Sequence, residues 1–299
     1  MRTISYEFYE PNATTFTSAS AFHINDSSSE LSLLFRLISG TCLISNRNLE
    51  LAVELNKNYF YSDFRNNDDN DLSFLDNFDE SLKLDDYEQF INKNRHKNRK
   101  FYKPLLNEIA GCIYYEELER HTSAFVHLYR AYEHMSYAFP MIYASKTDDY
   151  IGTFENLRKW LTNSESDGNV GELRFHKSFI TTLFKGSPEL SSTIDIHITA
   201  KDEFKENIFN GLTQKVLCWN NSTQFTTSTV SPDKISVSFV EFHSFIVNLR
   251  NRYFHYSNAR RDNIGLDDII ESDLLFSMVN KASINFIATI FHGVIRQHM

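Results

Sequence analysis

The run Val247-Asn248-Leu249-Arg250-Asn251-Arg252-Tyr253-Phe254-His255-Tyr256 gathers three groups able to act on a phosphate. Arg250 offers a planar guanidinium that holds phosphate oxygens through a rigid fork. Asn251 adds an amide that donates and accepts. His255 adds an imidazole that moves a proton near neutral pH. If the run is helical, each residue turns about 100°, so Asn251 and His255 lie one turn apart and about 40° around the axis. Arg250 lies about 140° from His255 and flanks the same polar groove. Such a set could cut a phosphodiester without a metal. The same residue types are common on solvated helix faces, and Asn is abundant here, so spacing alone leaves a purely structural role open.

A helix must carry this set, and the chain supplies its signals. Ser238 and Glu241 have the spacing of a capping box. Apolar residues recur at Phe242, Phe245 or Ile246, Leu249 and Tyr253, and Asn258 offers a stop. A second helix is expected from about Glu116 to Phe139, with Leu118, Phe125, Leu128, Tyr129, Tyr132, Met135 and Phe139 facing a core. Its polar side carries His127, Arg130, Glu133 and His134. That row could form a second catalytic wall, or a solvated face whose charges pair along the helix.

Arg-Asn-x-x-x-His in a late helix resembles the signature of the HEPN superfamily (higher eukaryotes and prokaryotes nucleotide-binding). Arg250 and His255 match its Arg-x4-6-His motif, and Asn251 matches its frequent Asn. The resemblance begins at about residue 93 and is specific only at these three positions. It implies a mainly α fold, a helical bundle of HEPN type, and cleavage of RNA in toxin or anti-phage defence systems. It implies that His255 acts as general base or acid, that Arg250 stabilises charge on the phosphate, and that Asn251 orients one or the other. HEPN ribonucleases often place an acidic residue on an early helix, and Glu133 is the candidate. Arg252, Tyr256 and Arg130 are candidate RNA contacts. Members generally dimerise across the motif helices, so a homodimer is expected. No cofactor or metal is implied.

Another branch of that superfamily pairs with an antitoxin and carries His-x-Tyr. Here Ser257 stands at the Tyr position, which puts control by modification of that Tyr in doubt. An antitoxin or defence-system partner remains an expectation. The alternative reading is a non-catalytic HEPN-like module that binds a nucleotide, RNA or a protein.

Composition agrees with packed helices. The 26 Phe and 15 Tyr supply large apolar surfaces, while 9 Gly and 5 Pro are few breakers for 299 residues. A net charge of −9 argues against coating nucleic acid by bulk charge, although a small basic patch suffices to hold a few phosphates. Cys42, Cys112 and Cys218 are scattered and form no Cys-x-x-Cys pair, which suggests a reduced, cytoplasmic chain without a zinc knuckle or a disulfide framework. No signal-peptide core is apparent at the start. The apolar stretch near Ile284–Ile295 is interrupted by polar residues, so no membrane association is expected.

In order, residues 1–92 read as an N-terminal region of unknown role, a small α/β extension ending in an acidic linker, and 93–299 as the HEPN-like helical domain. Ile4, Tyr6 and Phe8 alternate like a strand, and a helix should start at Ser27-Ser28-Ser29-Glu30 and stop at Gly40. Residues 48–60 read equally as helix or strand. Residues 62–90 are acidic, without the Asp-x-Asp-x-Asp-Gly pattern of a calcium loop. The basic run after them, with Lys97, Arg99, Lys100, Phe101 and Tyr102, could grip RNA phosphates and stack a base. A basic run beside an acidic one is more often its neutralising partner. Helices are expected from Pro104, over 154–161, 171–184 and 202–217, and from 267 to 296, with Pro140 ending or kinking the long one. Ser, Thr and Asn crowd a partly β insertion near 186–235. No nucleotide-binding Gly loop, His-Glu-x-x-His or Gly-x-Ser-x-Gly is present.

Overall fold

In the computed structural model, Ser29 closes the first turn of α1 (Glu30–Ile38): its hydroxyl accepts from the Ser32 amide at 3.2 Å. The chain leaves that helix at Gly40, where φ is +66° and an added Cβ would meet the Lys57 carbonyl oxygen at 2.2 Å, so glycine alone fits. The structure describes residues 5–11, 16–49, 51–55, 57–60, 82–145, 148–162, 173–217, 232–254, 263–297 and 299. Beside α1 lies an antiparallel sheet in the order β1 (Tyr6–Tyr9), β2 (Leu43–Asn46), β3 (Ala52–Glu54), with Tyr6 opposite Asn46 and Ile44 opposite Val53. Within residues 48–60, which read as helix or strand, Ala52–Glu54 form the sheet's third strand. The expected acidic linker falls mostly on residues 61–81, outside the described residues.

The rest is mainly helical. α2 (Leu84–Asn94) leads through Asn98, at φ 51°, into α3 (Arg99–Glu117), then α4 (His121–Ala144), α5 (Tyr150–Thr162) and α6 (Leu173–Leu183). α3 starts before Pro104 rather than at it, so Arg99, Lys100 and Lys103 ride on the helix. α4 runs on through Pro140 to Ala144, so the helix does not end there. Pro140 removes one backbone donor, but Phe139, 1% exposed, anchors this segment against Phe291 with ring centroids 6.0 Å apart. Packing therefore overrides local propensity there.

β4 (Thr193–His197) and β5 (Lys234–Ser238) pair antiparallel, Ile194 opposite Val237 and Ile196 opposite Ile235, which makes the insertion partly β. Between them α7 (Asp202–Asn210) passes into a π-helical stretch, Gly211–Leu217, in place of one uniform helix. α8 (Phe239–Phe254) follows β5 without a break. The expected last helix is two: α9 (Leu266–Ile269) and α10 (Ser272–Arg296). They part at Ile270, whose φ of 66° and the Glu271 N–H to Ile269 O bond of 2.7 Å form a tight three-residue turn.

α10 is the axis of the molecule. Its Phe276 meets Phe125 of α4 at 4.5 Å, its Phe286 meets Phe242 of α8 at 5.2 Å, and its Phe291 meets Phe35 of α1 at 5.5 Å between ring centroids. Residues before and after position 92 thus share one continuous core. An 18-residue window of α10 has a mean hydropathy of 1.4, apolar enough to cross a membrane by composition, but 83% of that window is buried among the other elements. It is a core helix. In the N-terminal part, Arg36 is fully buried: its guanidinium reaches Glu10 at 2.7 and 3.2 Å and the Phe22 carbonyl at 2.9 Å, and lies over the Phe16 ring at 4.6 Å.

Candidate functional site

Arg250 lies in the last turn but one of α8, and a cap and a buried face fix that helix. The Glu241 amide donates to Ser238 Oγ at 3.4 Å, while the Glu241 carboxylate takes Lys177 Nζ of α6 at 2.5 Å. Phe242, Phe245, Ile246 and Leu249 are all fully buried, so Arg250 and Asn251 fall at the edge of the buried face. At that edge α8 meets α4. The Arg250 guanidinium stacks over the Tyr129 ring, with Cζ 4.7 Å from its centroid. Its Nη1 donates to Asn251 Oδ1 at 2.9 Å, and its Nη2 stands 4.0 Å from Glu133 Oε1. Burial pushes the Tyr129 hydroxyl up to about 12; Arg250 draws it down, while the charge of Glu133 and its hydrogen bond draw it up.

The chemistry follows from these partners. Arg250 is held on one face by an aromatic ring and on one nitrogen by an amide, leaving the Nη2 side toward Glu133. A separation of 4.0 Å is beyond hydrogen-bond reach, so an anion approaching Nη2 meets no tight pair that it must break. The side chains of Arg250 and Glu133 are 28% and 47% exposed, so both remain open to a ligand. A fixed guanidinium suits charge building on a phosphoryl oxygen, and an adjacent carboxylate can orient it or accept a proton.

The other predicted residues are placed as follows. His255 and Tyr256 lie outside the described residues, as does Asn258. Arg252, read as an RNA contact, is instead 3% exposed, and its backbone carbonyl accepts from Ile264 N–H at 3.1 Å, so it belongs to the interior. The reason is angular: two positions past Arg250 the helix has turned about 200°, which carries the side chain to the opposite face. Arg99 forms an ion pair with the buried Glu30 of α1 at 2.7 Å, a partner outside the acidic run. Lys97 and Lys100 are exposed near the start of α3. Arg130 reaches Glu108 of α3 at 2.7 Å. Arg250, Asn251 and Glu133 are thus brought together, while Lys97, Arg99 and Lys100 lie apart from them on another element.

Two features escaped the sequence. Tyr129 reads as one more core residue of its stripe, and nothing local marks it as the floor beneath Arg250. Behind the site, Tyr132 of α4 hydrogen-bonds His243 Nδ1 of α8, and His176 of α6 packs between them with ring centroids 4.9 Å from Tyr132 and 5.5 Å from His243. Burial, then the neighbouring His243, holds the His176 imidazole well below its ordinary 6.5, so it is neutral. Among the described residues, no group of three His, Cys, Asp or Glu could hold a metal ion. No family model, curated protein or solved structure matches the chain.

Proposed function

We propose that the chain is a metal-independent endoribonuclease of HEPN type, acting in a cytoplasmic toxin or anti-phage defence setting. The observation that carries this reading is the meeting of Arg250 with Tyr129 and Glu133 across α8 and α4. It joins two segments, each picked out by residue type, at a single exposed place. In the proposed reaction, His255 takes the proton of the substrate's 2′-hydroxyl, and the freed oxygen attacks the neighbouring phosphorus. The bond to the 5′-oxygen breaks, and that oxygen gains a proton. Arg250 stabilises the phosphoryl oxygens as charge builds. Tyr129 and Asn251 hold the guanidinium in place, and Glu133 lies beside it. A second copy of the chain, apposed through α8, would complete the cleft.

The test is incubation of the purified protein with labelled RNA in a chelator, followed by end mapping. The expected products are 2′,3′-cyclic phosphate and 5′-hydroxyl ends, with DNA resistant because it lacks the nucleophile. Arg250→Ala and His255→Ala should each lower the rate about a hundredfold or more. Cleavage that stops on chelation, or that survives loss of both side chains, would overturn the mechanism.

A further inference from the structure

On the exposed side of α4, one turn before Glu133, a second arrangement stands ready for an anion. Glu108 of α3 has a side chain only 10% exposed, yet it holds two outward-facing groups: Oε2 meets His127 Nδ1 at 2.8 Å, and Oε1 meets Arg130 Nη2 at 2.7 Å. The backbone has been cleared for this. An alanine Cβ at position 111 would stand 2.8 Å from His127 Cγ and Nδ1, so the imidazole occupies the space a side chain would fill. Tyr115 covers one face of the imidazole, with ring centroids 5.5 Å apart and planes within 14°. Held this way, His127 keeps Nε2 for an outside partner, and the 58% exposed Arg130 keeps donors beyond the one given to Glu108.

We infer that His127 and Arg130 form a phosphate-binding subsite for a single RNA strand, with Glu108 as its positioning residue. This inference rests on the ribonuclease reading for the choice of RNA. Three arguments carry it. First, a surface arginine ordinarily loses much side-chain freedom on binding, and the Glu108 bond has already restrained this one. Second, both groups converge from one helix, Arg130 standing about 60° around the axis from His127 and about 4.5 Å further along it. Third, Arg130 lies the same short step from Glu133, which faces Arg250, so a strand crossing the cleavage site continues onto this pair without leaving α4. Such a backbone contact positions the strand and carries no base preference. It also gives a chain of net charge −9 a local hold on a polyanion.

The experiment measures binding of a fluorescent 2′-O-methyl RNA, which cannot be cut, to the full chain and to Arg130→Ala, His127→Gln and Lys205→Ala, the last being a cation of α7 already paired with Asp202 and Asp233. Adenosine monophosphate serves as a second probe, and melting temperatures are recorded alongside. Arg130→Ala should weaken strand binding about tenfold and reduce the slope of log K against log salt by about one, with the melting temperature unchanged. His127→Gln should also weaken strand binding, with the melting temperature unchanged. Lys205→Ala should bind as the parent does. Equal binding by all variants, loss of binding only together with loss of melting temperature, or equal affinity for the mononucleotide and the strand would each overturn the subsite. If the chain binds the methylated strand through Arg130 but cuts no RNA, the subsite stands and the nuclease reading falls. If it cuts RNA while Arg130→Ala binds normally, the reverse holds.

Discussion

Two arginines separate structural from chemical roles. Arg36 is fully buried, and its donors are used by Glu10, Phe22 and Thr41. Arg36→Met takes the buried guanidinium from Glu10, whose carboxylate keeps the Ile24 amide and His23, and should cost about 3 kcal/mol, read from urea unfolding. Arg250 is partly exposed, held by a ring and an amide, and Arg250→Ala should cost less than about 1 kcal/mol by the same measurement. A large loss at Arg250 would make it a strut and remove the basis for a catalytic role. His176 gives the residue scale a pH dependence. It is neutral in the folded chain, and its imidazole lies well below the ordinary 6.5. The unfolded chain takes up a proton as pH falls through 6.5 while the folded chain does not, so stability declines below that value. Asp273 adds a later step: hydrogen bonds from Thr122 hold its carboxyl below 3.8, so its contribution is full above 3.8 and is lost as pH falls further. Melting curves should therefore drop first between pH 6.5 and about 5, and His176→Phe should flatten that limb.

At the scale of elements, the hairpin of α3 and α4 shows what a sequence does and does not reveal. The α4 stripe is legible because Leu128, Tyr132 and Met135 recur with helical spacing and are buried. The start of α3 is not, because Pro104 reads as an N-terminal signal while the left-handed Asn98 actually opens the helix. The split between α9 and α10 is equally hidden, since Ile270 is a poor choice for a positive φ and tertiary packing alone holds it there. Within the site, the polar row naming Glu133 is visible from spacing, but its meeting with Arg250 joins positions far apart in the chain and follows only from how α4 and α8 pack. Gly111 is the one local trace of the Glu108–His127 contact, as a glycine inside a helix asks for a reason. Gly111→Ala gains about 1 kcal/mol of helix propensity but drives a methyl into the imidazole, for a net loss of about 1 kcal/mol. In Gly111→Ala/His127→Ala that loss should disappear. A double-mutant cycle giving additive costs would show that the two residues do not share the space.

For the molecule as a whole, the aromatic core is single and threads both ends of the chain. Phe35 touches Phe291, and Tyr6 meets Tyr114 with ring centroids 5.5 Å apart, so the N-terminal sheet and α1 are built onto the helices. This continuity cannot be read from periodicity, which identifies buried faces and leaves their partners open. The position of α10 at the axis, after α1, α4 and α8 in sequence order, has a consequence for synthesis. While the ribosome is still extending the chain, α1, α4 and α8 have no helix to close upon, and their Phe faces stay open to water. Those faces therefore close only once residues 272–296 have been made, and until then they are exposed to aggregation. A chain stopped before Ser272 should be cut rapidly by a protease at concentrations that spare the complete protein. Equal resistance of the two would mean that the earlier helices find another way to close.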